Sequence, residues 1–167
     1  MRFSDNHDER RAIARFGEKG ALAAQALAFT LDGVPMLYNG MEAGDTTESG
    51  TPALFEKLPI FWQFAERRQE FPKFYSGMIA LRKSSLALRR GELKWIRNSD
   101  ESRVLTFTRR SDSEEVFVTI NMSGSPLFVN VDVSGTFGEI TPNVTSGAAT
   151  IPAISLDAWG YRVFRRK

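Results

Sequence analysis

The chain has 167 residues, of which 42% are hydrophobic and 25% charged, and its formal net charge is +2 at pH 7. This length allows one domain, or a small domain with part of another, and the composition is that of an ordinary globular protein. The absence of cysteine excludes disulfides and thiol chemistry. Scattered basic pairs, without a stripe of interleaved aromatic residues, argue against a nucleic-acid binder; the pairs are Arg10-Arg11, Arg67-Arg68, Arg89-Arg90, Arg109-Arg110 and Arg165-Arg166.

The most apolar stretch, residues 21–31, is interrupted by Gln25 and is too short to span a bilayer. We therefore expect no membrane partner. The residues that follow Met1 are too charged for a signal peptide, so the sequence leaves the localisation open.

Residues 3–8 predict the end of a strand and then a polar, acidic turn, which carries the only histidine, His7. Residues 17–31 predict a buried helix, because alanine and leucine dominate and apolar residues surround its axis. A turn ends this helix, and the apolar residues 34–38 predict a short buried strand. This alternation of helix and strand is typical of a parallel sheet.

The middle of the chain is predicted as a loop followed by a helix. Residues 44–59 are rich in glycine, serine, threonine and proline, which are typical of loops. Residues 72–84 predict a helix, because their apolar residues recur at three- and four-residue spacing.

After Gly91 the pattern changes to short runs of β-branched and aromatic residues, separated by turn residues. Several short strands at nearly even spacing indicate an antiparallel sandwich. We expect the boundary between the two parts near residues 88–92. The predicted strands are residues 93–97, 104–109, 116–121, 127–133 and 159–164.

Four segments, in the right order, resemble the alpha-amylase superfamily, glycoside hydrolase family 13. The segments are Asn6-His7-Asp8, residues 31–44, residues 74–91 and residues 159–164. They resemble the end of barrel strand seven, the strand-eight signature, the last barrel helix with its exit, and the closing strand of the C-terminal domain. The resemblance implies an α/β barrel remnant, the last two β/α units of a (β/α)8 barrel, over residues 1–90. An all-β antiparallel sandwich would then follow over residues 91–167.

The same resemblance implies roles for the first turn. Asp8 would be one of three catalytic carboxylates, the one that grips sugar hydroxyls and stabilises the transition state of a retaining glycosidase. His7 would donate a hydrogen bond to the same sugar, and Asn6 and Arg11 would also bind substrate. Whether Arg10 or Arg11 takes that role stays open here.

Further carboxylates have other interpretations. Glu42 and Tyr38 are expected to support the site from the end of strand eight, although Glu42 could also be read as a catalytic carboxylate. Asp5 is expected to cap a turn, and Asp45 to be a solvated loop residue. The alternative for Asp8 and its neighbouring histidine is an ordinary surface turn.

In the family, the nucleophile and the general acid follow barrel strands four and five, for which this chain has no counterpart. We therefore expect a C-terminal fragment of an alpha-glucan-acting enzyme, inactive alone, whose parent acts on maltooligosaccharides by hydrolysis or transfer. Its partner would be the missing N-terminal barrel portion, and unpacked faces would favour self-association. No cofactor or metal is predicted in the chain, and calcium is an option for the parent enzyme.

A second hypothesis is a non-catalytic β-sandwich that is structural or binds carbohydrate. A sugar platform requires exposed aromatic residues, and Trp95 and Trp159 are the candidates. Both alternate with apolar strand residues, which favours core packing for them instead.

Overall fold

The computed structural model describes residues 1–47, 57–143 and 151–167; residues 48–56 of the predicted loop lie outside this part. The helices are α1 (Ala12–Thr30), α2 (Gln63–Arg67), α3 (Glu70–Ser84) and α4 (Leu86–Arg90), with a 3-10 turn at Met41–Ala43. The strands are β1 (Glu92–Trp95), β2 (Val104–Arg110), β3 (Glu115–Asn121), β4 (Leu127–Asn130), β5 (Phe137–Glu139), β6 (Ala153–Leu156) and β7 (Tyr161–Arg166).

Helix α1 begins at Ala12, earlier than the predicted residue 17. Its first backbone N–H donates to the Asp5 carboxylate at 2.7 Å, across seven positions of sequence. Gly17 interrupts the helical backbone with φ 72° and ψ 175°, at the point where the apolar pattern predicted the start. A cap supplied from so far away leaves no local signature, so the pattern alone could not indicate the earlier turn of helix.

The predicted strand at residues 34–38 is wrong as an extended element. The described chain forms one parallel bridge there, between Arg2 and Pro35. The Arg2 N–H donates to the Val34 carbonyl at 2.8 Å, and the Met36 N–H donates to the Arg2 carbonyl at 2.8 Å. Proline has no N–H to offer a second neighbour, and the described residues supply no strand on the other side.

The antiparallel sheets predicted for the second half are present. The larger sheet has the strand order β1-β2-β3-β7-β5, and β4 pairs with β6 in a second sheet. The predicted strand 127–133 ends at Asn130, after which Val131 makes a single bridge to Asn98. Strands β5 and β6 were not predicted, because they have only 3 and 4 residues and little β-branched or aromatic content.

The larger sheet is covered on both faces. One face packs against α1, α3 and α4 through residues such as Phe107, Val118 and Ile120, all fully buried. The other face packs against the smaller sheet. The buried residues of this second core are Val104, Phe117, Val129, Val131, Ile154, Leu156 and Phe164. Because the first core draws on both halves of the chain, a domain boundary at residues 90–91 stays a prediction.

Two arginines, the half-buried Arg82 and the buried Arg109, hold the C-terminal end of α1. Arg82 of α3 donates to the carbonyls of Phe29 and Leu31 at 2.6 and 3.3 Å. Arg109 of β2 is 1% exposed and donates to the Thr30 carbonyl at 2.8 Å. The last carbonyls of a helix have no partner within it, so these side chains satisfy them and join the helix to its neighbours.

The expected core position is wrong for Trp95, which is 56% exposed. Its ring meets Phe107 edge-on, with 5.3 Å between the ring centroids. Strand β1 is the edge of the sheet, so no further strand covers the indole. Trp159 is partly buried and packs against the helical core, as expected.

Candidate active site

The turn that carries the predicted site is fixed first by Asp5. This residue is 2% exposed, and one of its carboxylate oxygens accepts the hydrogen bond that starts α1. The other oxygen is buried without a hydrogen-bond partner among the described residues. Burial raises the pKa of Asp5, while the Ala12 N–H and the positive charges of Arg11 and Arg15 act in the opposite direction. Asp5 therefore caps helix α1 from seven positions away, whereas the sequence indicated only the cap of a local turn.

Asn6 shapes the turn from within. Its side-chain oxygen accepts hydrogen bonds from the N–H groups of Asp8 at 2.8 Å and Glu9 at 3.1 Å. An asparagine that binds the backbone two and three residues further on closes a tight turn. The resemblance assigned Asn6 to substrate binding, and in this structure its side-chain oxygen is engaged with the backbone.

His7 and Asp8 lie at the outside of this turn. Their side chains are 61% and 66% exposed, and 3.3 Å separates the His7 Nε2 from the Asp8 Oδ2. An exposed carboxylate beside an imidazole can receive hydroxyl hydrogen bonds on one side while the ring donates on the other. The pair thus offers the two kinds of contact that a sugar ring requires.

Arg11 lies beneath the turn and is only 5% exposed. Its Nη2 donates to the Asn39 carbonyl at 3.0 Å and its Nε to the Thr47 carbonyl at 3.2 Å. The guanidinium also stacks over the Tyr38 ring, 4.5 Å from the ring centroid. These contacts place the Arg11 charge against backbone and ring and leave it buried, away from the surface that His7 shares with Asp8.

Glu42 and Tyr38 belong to the second segment, residues 38–47. The Glu42 carboxylate accepts a hydrogen bond from the Gly40 N–H at 3.1 Å, and the half-buried Tyr38 meets Arg11. Gly40 has φ 91°, a conformation that favours glycine. None of the contacts described for this chain joins Glu42 to Asp8, and the supporting role of Glu42 stays a prediction.

Asp45 is a residue that the sequence interpretation missed. It was expected to be solvated, but it is 3% exposed and accepts a hydrogen bond from the Thr47 N–H at 2.8 Å. Its carboxylate lies 3.2 Å from the position that a Cβ would occupy at Gly40. The glycines on either side of the 3-10 turn were the available signal, because they mark a place where the backbone is closely approached.

Metal and membrane features are absent from the described ranges. No group of three or more histidine, aspartate or glutamate side chains there could hold a metal ion. None of the described helices is long and apolar enough to cross a bilayer.

No protein-family model matches the chain. Individual curated proteins, however, are similar to it in sequence. Alpha-amylase 2 of Dictyoglomus thermophilum is 30% identical over 139 residues, which are 74% of this chain and 24% of that protein. A cyclomaltodextrinase of a Bacillus species is 29% identical over 119 residues, covering 70% of this chain and 21% of the relative. The chain thus spans about a quarter, or less, of the length of these curated relatives.

A solved structure extends the likeness over the whole fold. Trehalose-6-phosphate hydrolase of Bacillus licheniformis superposes with a TM-score of 0.77 at 18% identity, covering 99% of this chain and 43% of that one. At this identity the likeness concerns the fold alone. The relatives and structural neighbours of this chain are enzymes of the alpha-amylase family, glycoside hydrolases of carbohydrate metabolism, and the similarity covers most of the chain.

Proposed function

We propose that this chain is the C-terminal part of an alpha-glucan-acting retaining glycoside hydrolase. In this proposal it carries the last two units of the barrel, the transition-state-stabilising Asp8, and the C-terminal β-sandwich. The nucleophile and the general acid belong to the N-terminal barrel portion, which is its partner. The observation that carries the proposal is the exposed pair of His7 and Asp8 on a turn that two neighbouring side chains hold.

The chemistry assigns Asp8 a charge-stabilising role. Glycoside hydrolysis passes through an oxocarbenium-like transition state, so positive charge develops on the sugar ring. A fixed carboxylate that holds ring hydroxyls stabilises that charge more in the transition state than in the ground state. His7, beside Asp8, donates a hydrogen bond from an imidazole N–H to the same ring.

A chimera tests this proposal. The part of Dictyoglomus thermophilum alpha-amylase 2 that precedes the aligned segment would be joined to residues 1–167, and hydrolysis of maltooligosaccharides measured. We expect Asp8→Asn to lower kcat/KM by about 10³-fold or more, since the amide keeps the shape and loses the charge. His7→Ala should have a smaller effect. Asp132→Asn, an exposed aspartate after β4, is the matched control. A folded, active chimera that is unaffected by Asp8→Asn would refute the assignment.

The same proposal predicts the behaviour of the chain alone. Without a nucleophile and a general acid it should not hydrolyse maltooligosaccharides, and its unpacked apolar residues should favour self-association. Phe3, Val34 and Leu37, near the single parallel bridge, are 43%, 69% and 40% exposed. Light scattering on the purified chain measures the association, and a monomer with enzyme-like turnover would contradict both expectations.

A second candidate function rests on the exposure of Trp95. In it, the chain is a module that binds carbohydrate through this indole, which stands on an edge strand. Titration with maltoheptaose, followed by the NMR signals of the indole N–H groups, distinguishes the two hypotheses. A Trp95 response that Trp95→Ala abolishes and Phe128→Ala preserves would favour the module; Phe128 is the matched control because it is 81% exposed on β4.

A further inference from the structure

Arg11 is a buried cation whose hydrogen bonds go to the backbone. Its two described acceptors, the carbonyls of Asn39 and Thr47, belong to the segment that faces the turn. Its Nη1 is buried and has no hydrogen-bond partner in the part of the chain that the structure describes. Among the described residues no carboxylate lies within ion-pair distance of the guanidinium; the nearest negative charges are those of Asp5, whose pKa burial raises and Arg11 lowers, and Asp45, whose Oδ2 lies 3.2 Å from the position of a Cβ at Gly40, beside the Arg11 Nη2 at 3.1 Å.

Burying Arg11 in this way costs folding free energy. The guanidinium loses its hydration, and hydrogen bonds to neutral carbonyls compensate for that loss less than a carboxylate would. The two carbonyls and the Tyr38 ring fix the orientation of the guanidinium plane. Only a planar fork can donate along two directions and stack on a ring at the same time, and lysine cannot do so.

Because Arg11 lies between the turn and helix α1, the fixed orientation of its guanidinium also affects where the turn lies. Arg11 directly precedes α1, whose first N–H is held by Asp5, and it follows Asp8 by three positions. One end of the turn is therefore fixed to the helix, and the other is fixed by Arg11 to residues 38–47. The second segment carries Tyr38 and Glu42.

We propose that Arg11 is a positioning residue, which couples the turn bearing His7 and Asp8 to the segment bearing Tyr38 and Glu42, and that it does not bind substrate. The meaning of the coupled turn as part of a sugar site rests on the proposed function. The coupling itself does not, because it is a property of the folded chain and can be measured without any substrate.

His7 makes the test direct, because it is the only histidine in the chain and its imidazole gives one set of NMR signals. The full chain would be compared with Arg11→Lys and Arg11→Met. We expect the imidazole signals and the amide signals of Asp8 and Glu42 to shift together in both variants. Exchange of the Asp8 and Glu9 amide hydrogens should accelerate by about tenfold, because the turn loses one of its two attachments.

Arg82→Met is the matched control. Arg82 also donates to backbone carbonyls, those of Phe29, Leu31 and Gly33, but at the opposite end of α1. It should lower the overall stability and leave the His7, Asp8 and Glu42 signals in place. Wild-type signals in Arg11→Lys, or equal shifts in Arg82→Met, would overturn the proposal.

The conservative variant keeps the test decisive if Arg11→Met does not fold. In Arg11→Lys the charge and part of the volume remain, so the variant should fold. A shift of its His7 signal would then result from the loss of the oriented guanidinium contacts and not from unfolding. In the chimera described above, the same variant should lower kcat/KM by about 10- to 100-fold. An inactive chimera would count against the proposed function alone, because the NMR comparison does not depend on turnover.

Discussion

The turn at residues 5–11 and the five-stranded sheet hold their backbones in different ways. In the turn and the segment that faces it, single side chains bind the main chain: Asp5, Asn6, Arg11 and Glu42 each satisfy backbone groups. The facing segment adds short-range backbone hydrogen bonds, such as that from the Asp45 N–H to the Gly40 carbonyl at 2.9 Å, but no described strand ladder includes either stretch. In the sheet, continuous antiparallel ladders satisfy the backbone, and the side chains form two cores.

This difference predicts how each region responds to a single substitution. A sheet spreads its stability over many apolar contacts, so the loss of one side chain costs free energy of unfolding and leaves the geometry of the rest intact. A turn held by a few polar contacts costs little free energy to loosen, but each contact determines where a functional side chain lies. Single substitutions should therefore separate stability from site geometry.

The largest loss of stability should come from the sheet. Phe117 is fully buried, and its ring stacks on that of Phe164 with 5.9 Å between centroids. We expect Phe117→Ala to lower the free energy of unfolding by about 3–5 kcal/mol, because it leaves a cavity between the two sheets. Denaturant unfolding measures this, with Phe128→Ala as the exposed control at about 0.5 kcal/mol or less. The His7 NMR signals of the folded variant should not move, and a shift would mean that the regions are coupled.

Arg109→Met tests the contact between the sheet and the C-terminal end of helix α1. Arg109 donates to the carbonyls of Thr30 and Gly91 at 2.8 and 2.9 Å, and burial lowers its pKa. Methionine fills part of the space but leaves both carbonyls without a donor, so we expect a loss of about 2–3 kcal/mol. Arg110→Met, at the exposed neighbouring position, should change the stability by about 0.5 kcal/mol or less. Equal losses in the two variants would show that the buried carbonyls do not matter.

Gly40→Ala should act on the second segment. A Cβ at Gly40 would lie 3.0 Å from the Asp45 Cβ and 3.1 Å from the Arg11 Nη2, and φ is 91°. We expect a cost of about 1–3 kcal/mol together with a shift of the His7 signal. Gly33→Ala is the control, since φ is also positive there at 85° but the nearest side-chain atom is 3.6 Å away. If both variants cost the same and neither moves His7, the close approach at Gly40 has no consequence.

The comparison also explains how much could be predicted from sequence. Strands β2, β3 and β7 follow from their runs of β-branched and aromatic residues, and helix α3 follows from apolar residues at three- and four-residue spacing. The role of Asp5 in starting α1 and the burial of Asp45 depend on contacts between distant residues, which no local pattern encodes. The exposure of Trp95 depends on the strand order, because an edge strand has the same composition as a central one.

For the candidate site, the residue types were predictable and their attachments were not. The resemblance over Asn6, His7 and Asp8 identified the turn, and the structure places the last two together at the surface. Their catalytic roles stay predictions. Arg11 was expected to bind substrate because of its place in the motif, whereas its partners are carbonyls 28 and 36 positions away.

A smaller loss of stability, which depends on pH, is expected when Glu114 is replaced. Its carboxylate accepts hydrogen bonds from Ser85 Oγ at 2.8 Å, the Ala87 N–H at 2.9 Å and Arg165 Nε at 2.8 Å. Burial would raise the pKa of Glu114, but these donors and the Arg165 charge hold it below its ordinary value of 4.5. Its stabilisation is therefore complete above pH 4.5 and is lost as the pH falls through the lower folded-state pKa.

We expect Glu114→Gln to cost about 1–2 kcal/mol at pH 7, because a charged acceptor is replaced by an amide. The difference from wild type should narrow as the pH falls below 4.5, which thermal melts at several pH values measure. Glu115→Gln removes the exposed pair with Arg166, so a cost of about 0.2–1 kcal/mol is expected there. A difference at Glu114 that does not change with pH would contradict the ion-pair interpretation.

Apart from the control variants, the smallest change in stability, and the most local, is expected for Asn6→Ala. The Asn6 side-chain oxygen accepts from the N–H groups of Asp8 and Glu9, both of which lie in an exposed turn where water can replace it. The cost in unfolding free energy should therefore be about 0.5–1 kcal/mol.

The turn itself should respond more strongly: the two amide hydrogens should exchange faster and the His7 signal should shift, while the sheet amides keep their wild-type exchange. Asn6→Asp retains an acceptor at the same position and should restore slow exchange. If Asn6→Ala leaves the turn amides protected, or if the sheet amides change with them, then the turn does not depend on single side chains in the way the comparison requires.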